Sequence, residues 1–325
     1  MKPVYLGVDL GGTNILSAVV DDQGCVLASA KDDVDLSNGI EGVADQMYAL
    51  SEKALRKAET EWDALHAVGI AVPSAVDPAN GTILHAPNLG WKNVPAKDAM
   101  TKRFERAVTL ENDVNCGVWG EYAAGAAKGF STVAGFFVGT GIGGGLILNG
   151  QLHLGVHGMA AEFGHEIVRY NGRKCGCGKK GCLEAYCSKT AFCRQFDKEI
   201  NRKGKKSLLS RESKSFDRIK SSTLKKAYEA GDAVTRKVLH KGMRMLGVAS
   251  ANLAAAIGPE CIVYGGGVME ALGEELMPVV VSSTCENLFG LKPADMELRL
   301  SELGDDAVPV GAALLARDRS GGQPQ

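Results

Sequence analysis

Hydrophobic and polar positions along this chain alternate between two periods. Val4 to Val8, Ile15 to Val20 and Cys25 to Ser29 are short apolar runs of strand length, and Asp21-Asp22-Gln23-Gly24 supplies a hairpin turn between the last two. Gly39 to Glu59 has the apolar spacing of a helix, and His66 to Val72 is a β-branched buried strand. A strand over Ala107 to Leu110 leads into a helix reaching about Ala127. A further apolar strand after Gly135 and one at Leu146-Ile147-Leu148 precede a tight Asn149-Gly150 turn. Ala230-Gly231-Asp232 starts a long amphipathic helix that ends near Ile257 before Pro259. A strand at Cys261 to Tyr264, a helix over Glu270 to Leu288, a strand at Met296 to Leu300 and an Ala-rich helix at Ala307 to Arg317 complete the pattern. Ser320 to Gln325 reads as an unordered tail.

Composition narrows the class. At 325 residues the chain accommodates two domains of ordinary size, and a formal charge of −1 gives no support for a polyanion partner. No apolar run is long enough to cross a bilayer, and no signal sequence opens the chain. Nine cysteines, an odd number, argue for a reducing compartment and a cytoplasmic protein. Cys25, Cys116 and Cys261 sit in apolar runs and read as buried small hydrophobes.

Two glycine-rich turns repeat one theme. Between the first two strands lies Asp9-Leu10-Gly11-Gly12-Thr13-Asn14, whose adjacent glycines let successive N–H groups point inward as a nest for phosphate oxygens. Thr13 and Asn14 add side-chain donors, and Asp9 is suited to hold Mg²⁺ through water. A plain Gly-Gly hairpin is the alternative. The second turn, Gly139-Thr140-Gly141-Ile142-Gly143-Gly144-Gly145, again joins two strands, so the pair is an internal repeat suited to a duplicated fold. Gly139-x-Gly141-x-x-Gly144 also matches the dinucleotide fingerprint, but that motif needs a helix directly after it, and here a strand and hairpin follow. No Gly-x₄-Gly-Lys-Ser/Thr occurs, which removes a P-loop.

The stretch Glu162 to Glu184, EFGHEIVRYNGRKCGCGKKGCLE, carries a metal pattern. His165, Cys175, Cys177 and Cys182 form a complete tetrahedral ligand set for a structural Zn²⁺, set among glycines that permit tight turns. Buried free cysteines are the alternative, which the surrounding Gly and Lys disfavour.

These motifs together resemble the ROK family (repressors, open reading frames and kinases) of the actin–hexokinase–sugar kinase superfamily, and within it the bacterial ATP-dependent glucokinases. DLGGT at 9–13 and GTGIGGG at 139–145 are similar to the two phosphate motifs, and Gly265-Gly266-Gly267-Val268 to the adenosine motif. The zinc stretch is similar to the Glu-x-Gly-His plus Cys-x-Cys-Gly-x₂-Gly-Cys-Leu-Glu signature, with Ala161 where glycine is usual. The resemblance implies a two-domain α/β actin-like ATPase (ribonuclease H-like) fold with an interdomain cleft and a structural zinc site. It implies a small domain over 1–112, completed by a C-terminal helix at about 301–319, and a large domain over 113–300 with the zinc segment 165–182.

It also implies roles. Asp113 of Glu111-Asn112-Asp113 would be the catalytic base, since a kinase acting on an alcohol needs a carboxylate to accept the hydroxyl proton. Residue type alone allows Asp113 or Asn115 to be only a helix N-cap. Asn88, Asn112, Asp113, Glu162, His165 and Glu184 would bind the sugar, His165 using one nitrogen for zinc and the other for sugar. Asp9, Gly11, Gly12, Thr13, Asn14, Thr140, Gly141, Gly265, Gly266 and Gly267 would bind ATP and Mg²⁺. By composition alone, the Pro/Gly/Asn loop around Asn88 is a surface turn with Trp91 as packing anchor. The implied reaction is phosphorylation of a hexose 6-hydroxyl, glucose first, with an N-acyl amino sugar or fructose as alternative acceptor and polyphosphate as alternative donor. A homodimer is the family expectation. ROK regulators carry a helix-turn-helix before the first phosphate turn, and eight residues before Asp9 leave no room for one. The Lys/Arg/Ser-rich segment from about Arg194 to Lys226 lacks the interleaved aromatics of a nucleic-acid module and reads as a solvated loop, as Glu166 reads as a solvated charge.

Overall fold

The computed structural model describes residues 3–211, 216 and 218–321, so the expected tail beyond Gly321 lies outside the described residues. The chain divides into two compact units. One comprises Met1–Ser131, Gly145–Ala161 and Glu302–Gln325; the other comprises Thr132–Gly144 and Glu162–Ser301.

In the first unit, β1 (Val4–Leu10), β2 (Asn14–Asp21) and β3 (Val26–Asp33) form successive hairpins, followed by helix α1 (Gly39–Lys57) and β4 (Leu65–Val72). A small pair, β5 (Ile83–Ala86) and β6 (Trp91–Val94), and helix α2 (Ala96–Phe104) precede β7 (Val108–Asn112) and helix α3 (Asp113–Ala124). The sheet order is β3-β2-β1-β4-β7, with β4 parallel to both β1 and β7. Side chains alternate along β1. Leu6, Val8 and Leu10 join Val43, Met47 and Leu50 of α1 and Met100 of α2 in one core. The opposite face takes the last helix, α9 (Ala307–Ser320), which packs on β1, β4 and α3. Gly311 makes that approach possible, because a Cβ there would stand 1.7 Å from the Cys116 carbonyl oxygen. Helix α3, starting at Asp113, therefore belongs with the first unit.

The second sheet has the order β10-β9-β8-β11-β12, formed by β8 (Val133–Val138), β9 (Ile142–Leu148), β10 (Gln151–Leu152), β11 (Cys261–Gly265) and β12 (Glu297–Leu300). As in the first sheet, three successive strands are followed by two parallel additions. This is the duplication that the repeated glycine turns predict. Asn149 (φ 52°) and Gly150 (φ 78°) make the expected turn between β9 and β10. Helices α4 (Glu184–Cys187), α5 (Lys189–Phe196) and α6 (Ser221–Glu229) follow. Helix α7 (Ala233–Ile257), capped by Asp232 accepting from the Thr235 N–H at 2.7 Å, packs against α8 (Gly267–Asn287).

Three local expectations change. Cys25 is exposed, because it sits in the hairpin turn just before β3. The basic segment is not simply a solvated loop: α5 continues as a π-helical turn over Asp197–Arg202, and Leu209, Phe216 and Ile219 are buried. Part of that segment lies outside the described residues. The Pro/Gly/Asn loop near Asn88 contains β6, whose Trp91 is buried opposite Ala86.

Candidate active-site residues

Register sets the first group. Asp9 on β1 pairs with Ala71 on β4, and Ala71 with Glu111 on β7, so the carboxyl ends of three parallel strands finish at one edge. Ligands of α/β sheets bind outside such ends. Asp9 and Asp113 meet electrostatically at that edge. Burial first, then the Asp113 and Asp305 carboxylates, raises the Asp9 pKa to about 7. Carboxylates with raised pKa values cluster at functional sites.

Asn112 caps α3. Its Oδ1 accepts from the Val114 and Asn115 N–H groups at 2.9 and 3.0 Å, and its Nδ2 donates to Asp113 Oδ1 at 2.9 Å and to the Ser74 carbonyl at 3.3 Å. The cap at this junction is thus Asn112 and not Asp113 or Asn115. Its amide is committed, so a sugar contact through Asn112 requires one of these bonds to exchange. Asp113 Oδ1 also accepts from the Val114 N–H at 2.9 Å, which fixes the carboxyl orientation.

Behind this junction stands a buried carboxylate. Glu111 Oε1 accepts from Asn112 N–H and Asn115 Nδ2, and its Oε2 pairs with Arg319 at 3.0 Å. Nothing in the sequence announces that pairing, since the partners lie 208 residues apart.

The first glycine turn is tighter than a pure nest. The Gly11 N–H donates to the Asn14 carbonyl at 2.9 Å, so Gly11 supplies the bend and not a free donor. Asn14 Nδ2 is likewise held by Asp33 at 2.6 Å. Gly12 and Thr13 are exposed, and a Cβ on Gly12 would lie 3.2 Å from Asn88 Cβ, which places Asn88 beside the turn. Asn88 itself is exposed, with no side-chain hydrogen bond among the described residues.

The second unit repeats the device. The Gly139 N–H donates to the Gly141 carbonyl at 2.9 Å, a tighter turn than the one closed by the Gly11 N–H and the Asn14 carbonyl. Thr140 is exposed, and its carbonyl accepts from Thr190 Oγ1 at 2.8 Å, so the start of α5 braces the turn. Ser188 caps α5 by accepting from the Ala191 N–H at 3.1 Å, a signal readable as Ser before an apolar-periodic run. Gly265 ends β11, and Gly266 (φ 83°) begins α8 so close to β8 that a Cβ would stand 2.8 Å from Val138 N. The adenosine-type turn and the second glycine turn are therefore neighbours.

The four zinc-type ligands gather. Donor atoms of His165, Cys175, Cys177 and Cys182 all lie within 4.8 Å of one another. Cys177 Sγ to Cys182 Sγ is 3.7 Å, and Cys175 Sγ to His165 Nδ1 is 3.8 Å. Zinc–sulfur bonds of about 2.3 Å in a tetrahedron place sulfurs about 3.8 Å apart, so the donor set fits Zn²⁺. Burial pushes the Cys175 thiol up to about 12, a state that a bound cation would reverse.

Glu184 connects this cluster to the glycine turn. Its Oε1 accepts from the Cys175 thiol at 3.4 Å and its Oε2 from the Ile142 N–H at 3.2 Å. A Cβ on Gly141 would stand 2.5 Å from that Oε2, so a side chain there would displace the Glu184 carboxylate. Glu162 is exposed beside His165, whose N–H donates to the Glu162 carbonyl at 2.9 Å. Glu166 is not a solvated charge: it is half-buried, which raises its pKa, and it accepts from Asn252 Nδ2 at 3.0 Å.

Ala161 adopts φ 62°, a left-handed conformation that costs an L side chain about 1 kcal/mol relative to glycine. Ala161→Gly is expected to raise the melting temperature by about 1–3 °C, read by differential scanning calorimetry. An unchanged or lower value would show that glycine's unfolded-state entropy outweighs the relief.

A family profile described as "ROK family" matches residues 5–319. A glucokinase from Thermotoga maritima is 35% identical over 322 residues, 99% of each chain. An N-acetylgalactosamine kinase from Shewanella is 31% identical over 329 aligned positions, 98% of each. A crystal structure of a ROK family glucokinase from Streptomyces griseus in complex with glucose and AMPPNP superposes with a TM-score of 0.83 at 35% identity, covering 97% of this chain and 99% of that one. Its fold class, the actin-like ATPase α/β fold, is the one that the resemblance of the combined motifs implies. On sequence, fold and motif together, this chain belongs to the ROK family.

Proposed function

We propose that this protein is an ATP-dependent glucokinase, transferring the γ-phosphoryl group of ATP to the 6-hydroxyl of glucose. One observation carries the reading. Asp113 is held by Asn112 and the Val114 N–H at the strand edge where Asp9 also ends, so a proton acceptor and a cation-binding carboxylate share one edge. The near full-length likeness to the Thermotoga glucokinase supports glucose as the acceptor. The likeness to an N-acetylgalactosamine kinase supports an N-acyl amino sugar as the second reading.

In the proposed reaction, Asp113 takes the proton from the sugar hydroxyl as the P–O bond forms. Asn88, Glu162, His165 and Glu184 hold the sugar hydroxyls through charge-assisted hydrogen bonds, with Asn112 joining if its Ser74 bond exchanges. Gly12, Thr13, Thr140 and Gly141 receive phosphate oxygens, Asn14 joins if its Asp33 bond exchanges, Gly11 shapes the first turn, and Gly265 to Gly267 take the adenosine end. Asp9 would hold Mg²⁺, which neutralises phosphate charge when bound. His165 Nδ1 faces Cys175, which leaves Nε2 for the sugar. Zn²⁺ on His165, Cys175, Cys177 and Cys182 would brace that segment. The reading carries a two-domain division with α3 on the side of the first unit, a cytoplasmic homodimer and a place at the head of glycolysis as expectations. Among the described residues no helix is long and apolar enough to cross a membrane.

A panel of hexoses and N-acyl amino sugars with ATP or polyphosphate, read by a coupled nucleotide assay, tests the reading. Glucose with ATP is expected to give the highest kcat/KM; a higher value for an N-acyl amino sugar would move the protein to the second reading. Because Asp9 holds its proton up to about pH 7, affinity for magnesium-nucleotide is expected to rise as pH climbs towards 7, by up to about tenfold per unit, and to level above it. Calorimetric titrations between pH 5.5 and 8 check this, and a flat profile would remove Asp9 from the cation's shell.

A further inference from the structure

The basic segment after α5 is not used by the proposed reaction. It lines a hollow of about 440 Å³ in the second unit, continuous in its lining with a smaller one of about 160 Å³. Arg169 and Arg173 come from the chain between His165 and Cys175. Lys198 and Lys203 come from the turn that extends α5, and Lys237 and Lys241 from α7. Against these six cations the lining offers one carboxylate, Glu199.

Glu199 is buried and arranges the lysines around it. It pairs with Lys203 at 2.7 Å and with Lys205, and Lys237 stands 3.9 Å away. One carboxylate cannot neutralise three ammonium groups. The bonds from Lys203 and Lys205 hold the Glu199 pKa down at about 2, while the Lys205 ammonium holds Lys237 below the ordinary lysine range. Among the described residues, Arg169, Lys198 and Lys241 have no carboxylate within salt-bridge distance.

Arg173 is the fixed element of the wall. Its guanidinium donates to the Ala185 carbonyl at 3.2 Å and to Gln195 Oε1 at 2.9 Å, and it lies 4.6 Å over the Tyr186 ring. A half-buried, preoriented guanidinium beside Lys241, and beside ammonium groups that outnumber their one shared carboxylate, is a donor arrangement that suits a phosphoryl dianion. We infer that this hollow binds a small phosphate-bearing anion, with Arg173, Lys203 and Lys241 as its main ligands. The inference does not rest on the kinase reading. It does bear on the same segment, because the Arg173 backbone N–H donates to the Tyr186 hydroxyl at 2.8 Å, and Tyr186 follows Glu184 on α4.

Isothermal titration of the full chain with inorganic phosphate, pyrophosphate and glucose 6-phosphate tests it. A saturating non-hydrolysable ATP analogue and glucose are present throughout to occupy the phosphate turns. One site per chain is expected, weakening several-fold between 50 and 200 mM salt. The double variant Lys203→Gln/Lys241→Gln is expected to lose at least about tenfold in affinity with unchanged metal content. Tightest binding of glucose 6-phosphate would identify a sugar phosphate as the ligand class, and tightest binding of pyrophosphate a condensed phosphate. Lys241→Gln alone, at an exposed helix position, is the control should the double variant unfold, with a loss of about threefold expected. Absence of binding by all three anions, equal affinity in wild type and variants, or tighter binding of a single-stranded oligonucleotide would each overturn the inference.

Discussion

Asp113→Asn is expected to lower kcat by about 10²–10⁴-fold while leaving sugar affinity within about threefold. The asparagine keeps an oxygen where Asp113 Oδ1 accepts from Asn112 Nδ2 and from the Val114 N–H, so the start of α3 is retained. What disappears is the basic oxygen that would receive the hydroxyl proton. The substitution also removes a charge that raises the Asp9 pKa, so magnesium-nucleotide binding should hold up at lower pH than in the wild type. Steady-state kinetics and glucose titration of the variant separate the two effects. Turnover within tenfold of wild type would take Asp113 out of its role.

The second large effect is expected from the zinc-type cluster. Stripping the metal with a chelator, or Cys182→Ser, should release one zinc per chain, lower the melting temperature and weaken glucose binding by about 10–100-fold. The reason is geometric. His165 is itself a ligand, and Glu184 stands 3.4 Å from Cys175 Sγ while it also holds the Ile142 N–H of the second glycine turn. Loosening Cys182 therefore loosens two proposed sugar ligands and the turn beside them. Elemental analysis after removal of loosely bound ions, with glucose binding by calorimetry, reads both parts. No zinc in the purified protein would leave the cluster a set of packed thiols, and unchanged glucose affinity after zinc loss would remove its bracing role.

Much of this site could be read from residue order, because its parts are local. The Asp9 to Asn14 and Gly139 to Gly145 turns follow apolar strands, and the Asn149-Gly150 hairpin rules out a Rossmann helix at that point. The Cys and His spacing survives as a gathered ligand set. What escaped depends on contacts between distant segments. The choice of Asn112 as the α3 cap could not be made among three neighbouring polar residues, since Ser74 and Asp113 hold its Nδ2 and so aim its Oδ1 at the Val114 and Asn115 N–H groups. The Glu111–Arg319 pair joins β7 to the last helix, and no periodicity encodes it. The Gly11 N–H is consumed by a bond to Asn14 that glycine content alone does not reveal. Glu166 looked solvated because its partner Asn252 lies far along the chain on α7. Ala161 is the converse case: a departure from the family's glycine, visible in sequence, turns out to carry a left-handed backbone.

The central claim is that the γ-phosphoryl group of ATP passes to glucose on this chain. Phosphorus NMR of a mixture of the protein, magnesium-ATP and glucose reads that transfer directly. The account predicts a growing glucose 6-phosphate resonance that matches the loss of ATP one for one, and one that grows at least about a hundredfold more slowly with Asp113→Asn. Inorganic phosphate appearing in place of a sugar phosphate, or an unchanged ATP spectrum, would contradict it.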